Sequence, residues 1–224
     1  MKKRLGAILP VVVLVVALGA TGVFAAVKYV TGDMVFLYPP PASVVAGAHE
    51  SSDEVYVFNE KQGVYLFSDL LTDDSKTIPA GTLVNSHLVH FDPVGTFSTM
   101  ISVSGTVDFD GEILGLFTRN AGLDNTDATF GLTGTQYPTG GDRKLETGGE
   151  APDSATVDGS NLAVDLHANT GIDQIRVITV QLPPSVGGEV YPTNKLAILA
   201  PWVALLGAII AGGTIVLRRR RAQR

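Results

Sequence analysis

The sequence contains no cysteine, which removes a disulfide framework, a thiolate metal site and a cysteine nucleophile at once. A cysteine-free domain draws its stability from its core, and it has no thiol to mispair in an oxidising compartment. There are four histidines, dispersed along 224 residues, and no G-x-S-x-G elbow, so no Ser-His-Asp set can be assigned. P-loop and dinucleotide fingerprints are missing too. The 22 acidic residues give no ground for choosing two as a glycosidase pair.

Acidic side chains are absent from both ends of the chain. All 22 lie between Thr31 and Lys195, against only seven basic residues there, a balance of -15; the other nine basic residues stand outside that segment. So acidic a middle repels phosphate backbones, which excludes nucleic acid as a partner and leaves cations or neutral polar surfaces.

The ends themselves are apolar. Lys2, Lys3 and Arg4 precede a run from Leu5 to Val27, with Val23-Phe24-Ala25 offering the small residues that a signal peptidase reads. Residues 1–27 are therefore expected to be a signal peptide, with Ala25 the cleavage candidate, or a retained signal anchor. From Leu196 to Leu217 there are 22 residues without a charge, about 33 Å of helix and long enough to cross a bilayer. Trp202 stands near the outer interface of this anchor, and Arg218, Arg219, Arg220 and Arg221 form a stop-transfer cluster that keeps residues 218–224 in the cytoplasm. The expected location is the cell membrane, with residues 31–195 extracytoplasmic and the membrane itself a partner.

Proline and glycine mark the linkers. Tyr38-Pro39-Pro40-Pro41 places one at 28–42, and Pro183 to Pro192 places another at 183–195. Between them, residues 43–182 read as one mainly β domain, an antiparallel β-sandwich of jelly-roll type. Phe97 to Phe109 alternates apolar and polar residues with period two, and Asp110-Gly111 followed by Ile113-Leu114-Gly115-Leu116-Phe117 predicts a hairpin return. A second hairpin is expected from Ala155-Thr156-Val157 and Leu162 to Leu166 around Asp158-Gly159-Ser160-Asn161, and a third from Val55 to Phe58 and Val64 to Phe67. Gln174 to Leu182 is mostly apolar or β-branched on both faces, which suits a central strand, with Arg176 its lone charged interruption. The stretch 120–152 is rich in Gly, Thr, Asp and Asn and reads as a long loop.

Chemistry is suggested at two places. In Ser86-His87-Leu88-Val89-His90-Phe91-Asp92-Pro93, a strand puts His90 and Asp92 on one face and His87 on the other, so only His90 and Asp92 share a local metal position. Asp124-Asn125-Thr126-Asp127 offers oxygen ligands, although it lacks the glycine and distal glutamate of an EF-hand. His90, Asp92, Asp124 and Asp127 are thus the candidate metal ligands, with Ca2+ the ion such oxygens would take. No organic cofactor and no catalytic residue is expected.

Three segments together resemble a known family: Ser86 to Gly95, Ser104 to Gly115 in the form SGTVDFDGEILG, and Gly171 to Val177 in the form GIDQIRV. Their order is similar to that of an uncharacterised β-sandwich ectodomain of bacterial exosortase-type surface proteins. Val186-Gly187-Gly188 ahead of the apolar run resembles the Val-Gly-Gly lead-in of prokaryotic surface anchors. The resemblance implies a signal peptide, a tethered ectodomain and a C-terminal anchor, with no catalytic residue to carry over. The expected function is a noncatalytic binding module at the cell surface for a glycan, a cation or a protein, the alternatives being an envelope-polymer hydrolase and a purely structural envelope component.

Overall fold

Alternating side chains dictate the strands Ile101–Phe109 and Asn161–Ala168, while Leu83–Phe91 and Asp173–Val180 are buried on both faces. The structure, a computed structural model, describes residues 26–182 apart from 96–99, 142 and 170. These residues belong to the first of two compact units, Met1–Pro184. Ala25, Phe97, Leu196, Trp202, Leu217 and Arg218 to Arg221 lie outside the described residues. Among the described residues no helix is long and apolar enough to cross a membrane.

The chain is mainly β. Its elements are β1 (Val27–Gly32), β2 (Met34–Phe36), β3 (Val55–Asn59), β4 (Val64–Tyr65), β5 (Leu70–Leu71), β6 (Thr77–Ile78), β7 (Leu83–Phe91), β8 (Ile101–Phe109), β9 (Ile113–Phe117), α1 (Asn120–Phe130), β10 (Ser154–Asp158), β11 (Asn161–Ala168) and β12 (Asp173–Val180). One sheet has the order β1-β8-β11-β10 and is antiparallel throughout. The other runs β2-β3-β7-β12-β9 with β4 also on β7, and it is mixed because β2 lies parallel to β3. A small third sheet pairs β5 with β6.

Apolar residues of both larger sheets meet in one cluster that includes Val103, Phe109, Leu162 and Leu166 from the first and Val57, Val89, Ile175 and Val177 from the second. The second sheet also buries its other face, where Phe58, Leu88 and Ile178 pack with Leu123 and Phe130 of α1. Burial on both faces explains why β12 reads as a continuous apolar run. It sits between β7 and β9, as a central strand should.

Other expectations are corrected. The segment 28–42 is no linker along its whole length, since β2 and nearly all of β1 lie within it and pair into the two sheets. β8 and β9 form no hairpin, because β8 pairs with β1 and β11 while β9 pairs with β12. Asp110-Gly111 is instead the crossing between sheets, packed so closely on β12 that a Cβ at Gly111 would lie 2.1 Å from the Val180 carbonyl oxygen. β3 and β4 do not pair with each other either. Both lie along β7, against residues 87–90 and 83–84 in turn, with Glu60 N–H donating to Ser86 O and Ser86 N–H to Lys61 O between them. The hairpin of β10 and β11 forms as expected, with Asp158 opposite Asn161 and Gly159 at a positive φ of 61°.

α1 breaks the expected loop of 120–152. Its buried residues Leu123, Thr126 and Phe130 recur at helical spacing on the face toward the second sheet. The N-cap, Arg119, makes no side-chain cap. Asp73 supplies the cap from another segment, its Oδ2 accepting the N–H groups of Thr118 and Arg119 at 2.8 Å each.

Candidate functional site

Charge within the fold is concentrated where α1 meets the sheet. Arg176 points to that side of β12 with its side chain wholly buried. Its Nε donates to Glu60 Oε2 at 2.7 Å and its Nη2 to Glu60 Oε1 at 2.9 Å, a two-pronged pair. Nη2 also donates to Asp127 Oδ1 at 2.7 Å, and Nη1 to Thr126 Oγ1 at 2.6 Å and Leu123 O at 3.0 Å. All five donors of the guanidinium are therefore used. The Tyr137 ring lies 5.5 Å from Arg176 Cζ. Burial alone would lower the Arg176 pKa, but Glu60 and Asp127 outweigh it and hold the cation charged.

Arg143 is buried beside it and shares Asp127, donating to Asp127 Oδ2 at 2.7 Å and Asp124 Oδ1 at 3.2 Å. Its Nε donates to Gln174 Oε1 at 2.8 Å. Asp124 and Asp127, offered by the sequence as candidate metal ligands, stand on α1, one turn apart, and each is bonded to an arginine. The reason is local: a helix replaces the loop, and a second cation already occupies the carboxylates.

The pair His90 and Asp92 is not brought together as a ligand set. His90 Nδ1 lies 2.9 Å from Gln174 Nε2, while Asp92 Oδ2 accepts the Gly47 N–H at 2.7 Å. His87 takes the opposite face as expected, with Nδ1 2.8 Å from Asn59 Oδ1 and its ring 4.5 Å from that of Phe109. Burial pushes both imidazoles down to about 3, so they are neutral core groups at physiological pH.

A third group was not legible in the sequence. Oxygens of Glu146, Asp153 and Asp173 lie within 4.8 Å of one another. Asp153 organises them: its Oδ2 accepts the Glu146 N–H at 2.6 Å, its Oδ1 accepts the His167 N–H at 2.7 Å, and its own N–H donates to Glu146 O. Burial raises the Asp153 pKa against those hydrogen bonds. Three clustered carboxylates can share a proton or surround a hard cation such as Ca2+. Beside them is a cavity of about 250 Å³ whose lining includes Met100, Glu146, His167 and Asn169.

This group marks one end of the fold. Asp173 begins β12 opposite Phe91, the last residue of β7. Residues 26 and 182 mark the other end: Ala26 N–H donates to Asp110 Oδ2 at 3.2 Å and Ala26 O accepts the Asp110 N–H, Gly111 abuts Val180, and Gln181 N–H donates to Leu83 O. The eight residues of β12 separate the two rims by about 23 Å.

Comparison of the chain with family models, curated proteins and solved structures found no match. Of the groups missed by sequence reasoning, Arg176 had a signal, as the only charge within a strand otherwise apolar or polar-neutral after Asp173. Glu60, Asp153 and Glu146 had none, because their partners are 116, 14 and seven residues away.

Two outcomes follow from these burials. Replacing Glu60 by leucine leaves Arg176 short of its bidentate partner and lowers stability by about 3–5 kcal/mol, whereas Glu60→Leu with Arg176→Met recovers part of the loss; urea unfolding of the four variants of this cycle measures both. The second concerns pH. An unfolded histidine takes up a proton near pH 6.5 and the folded His87 and His90 do so only at about 3, so their contribution is complete above about 6.5 and declines as pH falls toward 3. Each histidine steepens that decline by at most about 1.4 kcal/mol per pH unit. The urea midpoint should fall between about pH 7.5 and 5 and His87→Gln should flatten the fall; a midpoint constant over that range contradicts it.

Proposed function

We propose that the chain is a membrane-tethered extracytoplasmic module that binds a ligand without chemistry on it, its two sheets packed as a jelly-roll-like sandwich. The observation that carries this reading is the polarity of the fold. Residues 26 and 182 leave from one rim, which suits a domain whose leader is cut and whose C-terminal tether begins on the same side, and the opposite rim holds the carboxylate group and its cavity.

The end sequences support the tether. In this reading Ala25 is the last residue of the leader: Ala26 is already hydrogen-bonded to Asp110 and β1 starts at Val27, so a cut there leaves the sheet whole. Leu196 to Leu217 then anchors the protein, with Arg218 to Arg221 on the cytoplasmic side. The likeness of the 86–95, 104–115 and 171–177 segments to exosortase-type surface ectodomains points the same way.

Most of the buried charges are already engaged within the fold. Glu60, Asp127, Arg143 and Arg176 are taken up by one another, and the two buried histidines are held neutral in the core. What the distal rim offers is carboxylate, imidazole and amide groups around a cavity of about 250 Å³, the groups that hydrogen-bond sugar hydroxyls directly or through a hard cation. A neutral, hydroxyl-rich glycan is the ligand class that suits them, since the acidic domain repels anions.

The full chain held in nanodiscs and screened with neutral oligosaccharides, with and without Ca2+, tests the reading. The expected result is saturable binding that Glu146→Gln weakens by about tenfold or more with the unfolding temperature of the ligand-free protein not lowered. No binding and no thermal shift under either condition would overturn it.

A further inference from the structure

Several large apolar side chains are left in the open, and five of them gather at the rim where residue 182 leaves the fold. Phe67 is 91% exposed, Leu71 68% and Tyr65 50%, and Leu83 and Leu182 are also exposed. They are contiguous. The Tyr65 and Phe67 rings stand edge to face with centroids 5.0 Å apart, Tyr65 pairs with Leu83 across β4 and β7, and Leu83 O accepts the N–H of Gln181, next to Leu182. Leu71 shares with Tyr65 and Phe67 a cleft of about 600 Å³ beside α1. A monomeric domain rarely leaves so many large apolar groups together unless something covers them.

We propose that this patch rests on the lipid surface, so that the folded domain itself, and not only its anchor, binds the bilayer. The inference relies on the reading of residues 196–217 as a membrane span. Its own support is position. The chain passes from Leu182, inside the patch, to Leu196 through thirteen residues, at most about 43–47 Å when fully extended, so the patch is held within reach of the headgroups at high effective concentration. Its chemistry fits as well: tyrosine and phenylalanine with leucines suit the boundary between headgroups and acyl chains. The surrounding charge is acidic, with Asp69 and Asp73 close in sequence, so the contact is apolar insertion into a zwitterionic surface and does not depend on anionic lipid. The distal rim is thereby turned outward, toward whatever the module binds.

The chain has a single tryptophan, Trp202, which makes the test internal to the protein. The full chain is reconstituted in phosphatidylcholine vesicles carrying lipids brominated along their acyl chains, as three proteins: the native sequence, Phe67→Trp with Trp202→Phe, and Met100→Trp with Trp202→Phe. Met100 is 47% exposed and lines the distal cavity. The expected result is that Trp202 and the tryptophan at 67 are both quenched by the brominated lipid, the latter with emission shifted to the blue, while the tryptophan at 100 is not. Quenching of Trp202 without quenching at 67 overturns the inference and leaves the anchor intact; blue-shifted but unquenched emission at 67 also overturns it, by assigning the patch to a protein contact. If Trp202 itself escapes quenching, the anchor and the inference fall together.

Discussion

Arg176 is a cation in the middle of a strand that is buried on both faces, and the structure around α1 is arranged to keep that charge satisfied. Glu60 meets it from the segment after β3, Asp127 and Thr126 meet it from α1, and Tyr137 covers it from the following loop. Arg143 then shares Asp127 and reaches back to Gln174 on β12. Segments distant in sequence are thus fastened to one strand through two guanidinium groups. Apolar contacts from Leu123 and Phe130 fill the space between, but such contacts are not directional, and the register of the helix on the sheet comes from the charged hydrogen bonds. A buried pair of this kind adds little net stability over an apolar one; what it supplies here is a fixed position for an element of low intrinsic helix propensity.

With that layer fixed, the two faces of the second sheet have separate tasks. One face shares an apolar cluster with the first sheet, and His87 sits against Phe109 within it. The other carries α1 and the loops that lead to Arg143 and Glu146. Because the strands run between two rims, residues 26 and 182 and the Tyr65–Phe67 patch lie at one of them, and Asp153, Asp173 and Glu146 at the other. The separation of the rim where residues 26 and 182 leave from the rim that holds the carboxylates is therefore a property of strand direction, not of any one residue.

The sequence disclosed whatever depends on neighbours along the chain. The β10–β11 hairpin was legible because Asp158-Gly159-Ser160-Asn161 sets its own turn, and β12 because burial on both faces leaves a run without alternation. Pairing choices were not. Asp110-Gly111 has the chemistry of a hairpin turn, yet the strands beside it belong to different sheets, a choice made by β1, β11 and β12. α1 was hidden since its polar residues Asn120, Asp124, Asn125 and Asp127 look like loop chemistry until the arginines that need them are in place, and its cap, Asp73, lies 45 residues before Thr118. Asp124 and Asp127, the candidate metal ligands, do share a cation, but it is the guanidinium of Arg143.

The dependence of α1 on the buried charges is open to one direct measurement, amide hydrogen exchange of the native protein resolved by residue. If the guanidinium network fastens the helix to the sheet, the amides of Leu123 to Phe130 exchange through the same cooperative opening as those of β12, with matching protection and matching response to low urea. Helix amides that exchange orders of magnitude faster than β12, by a local opening that leaves the strand protected, would contradict it.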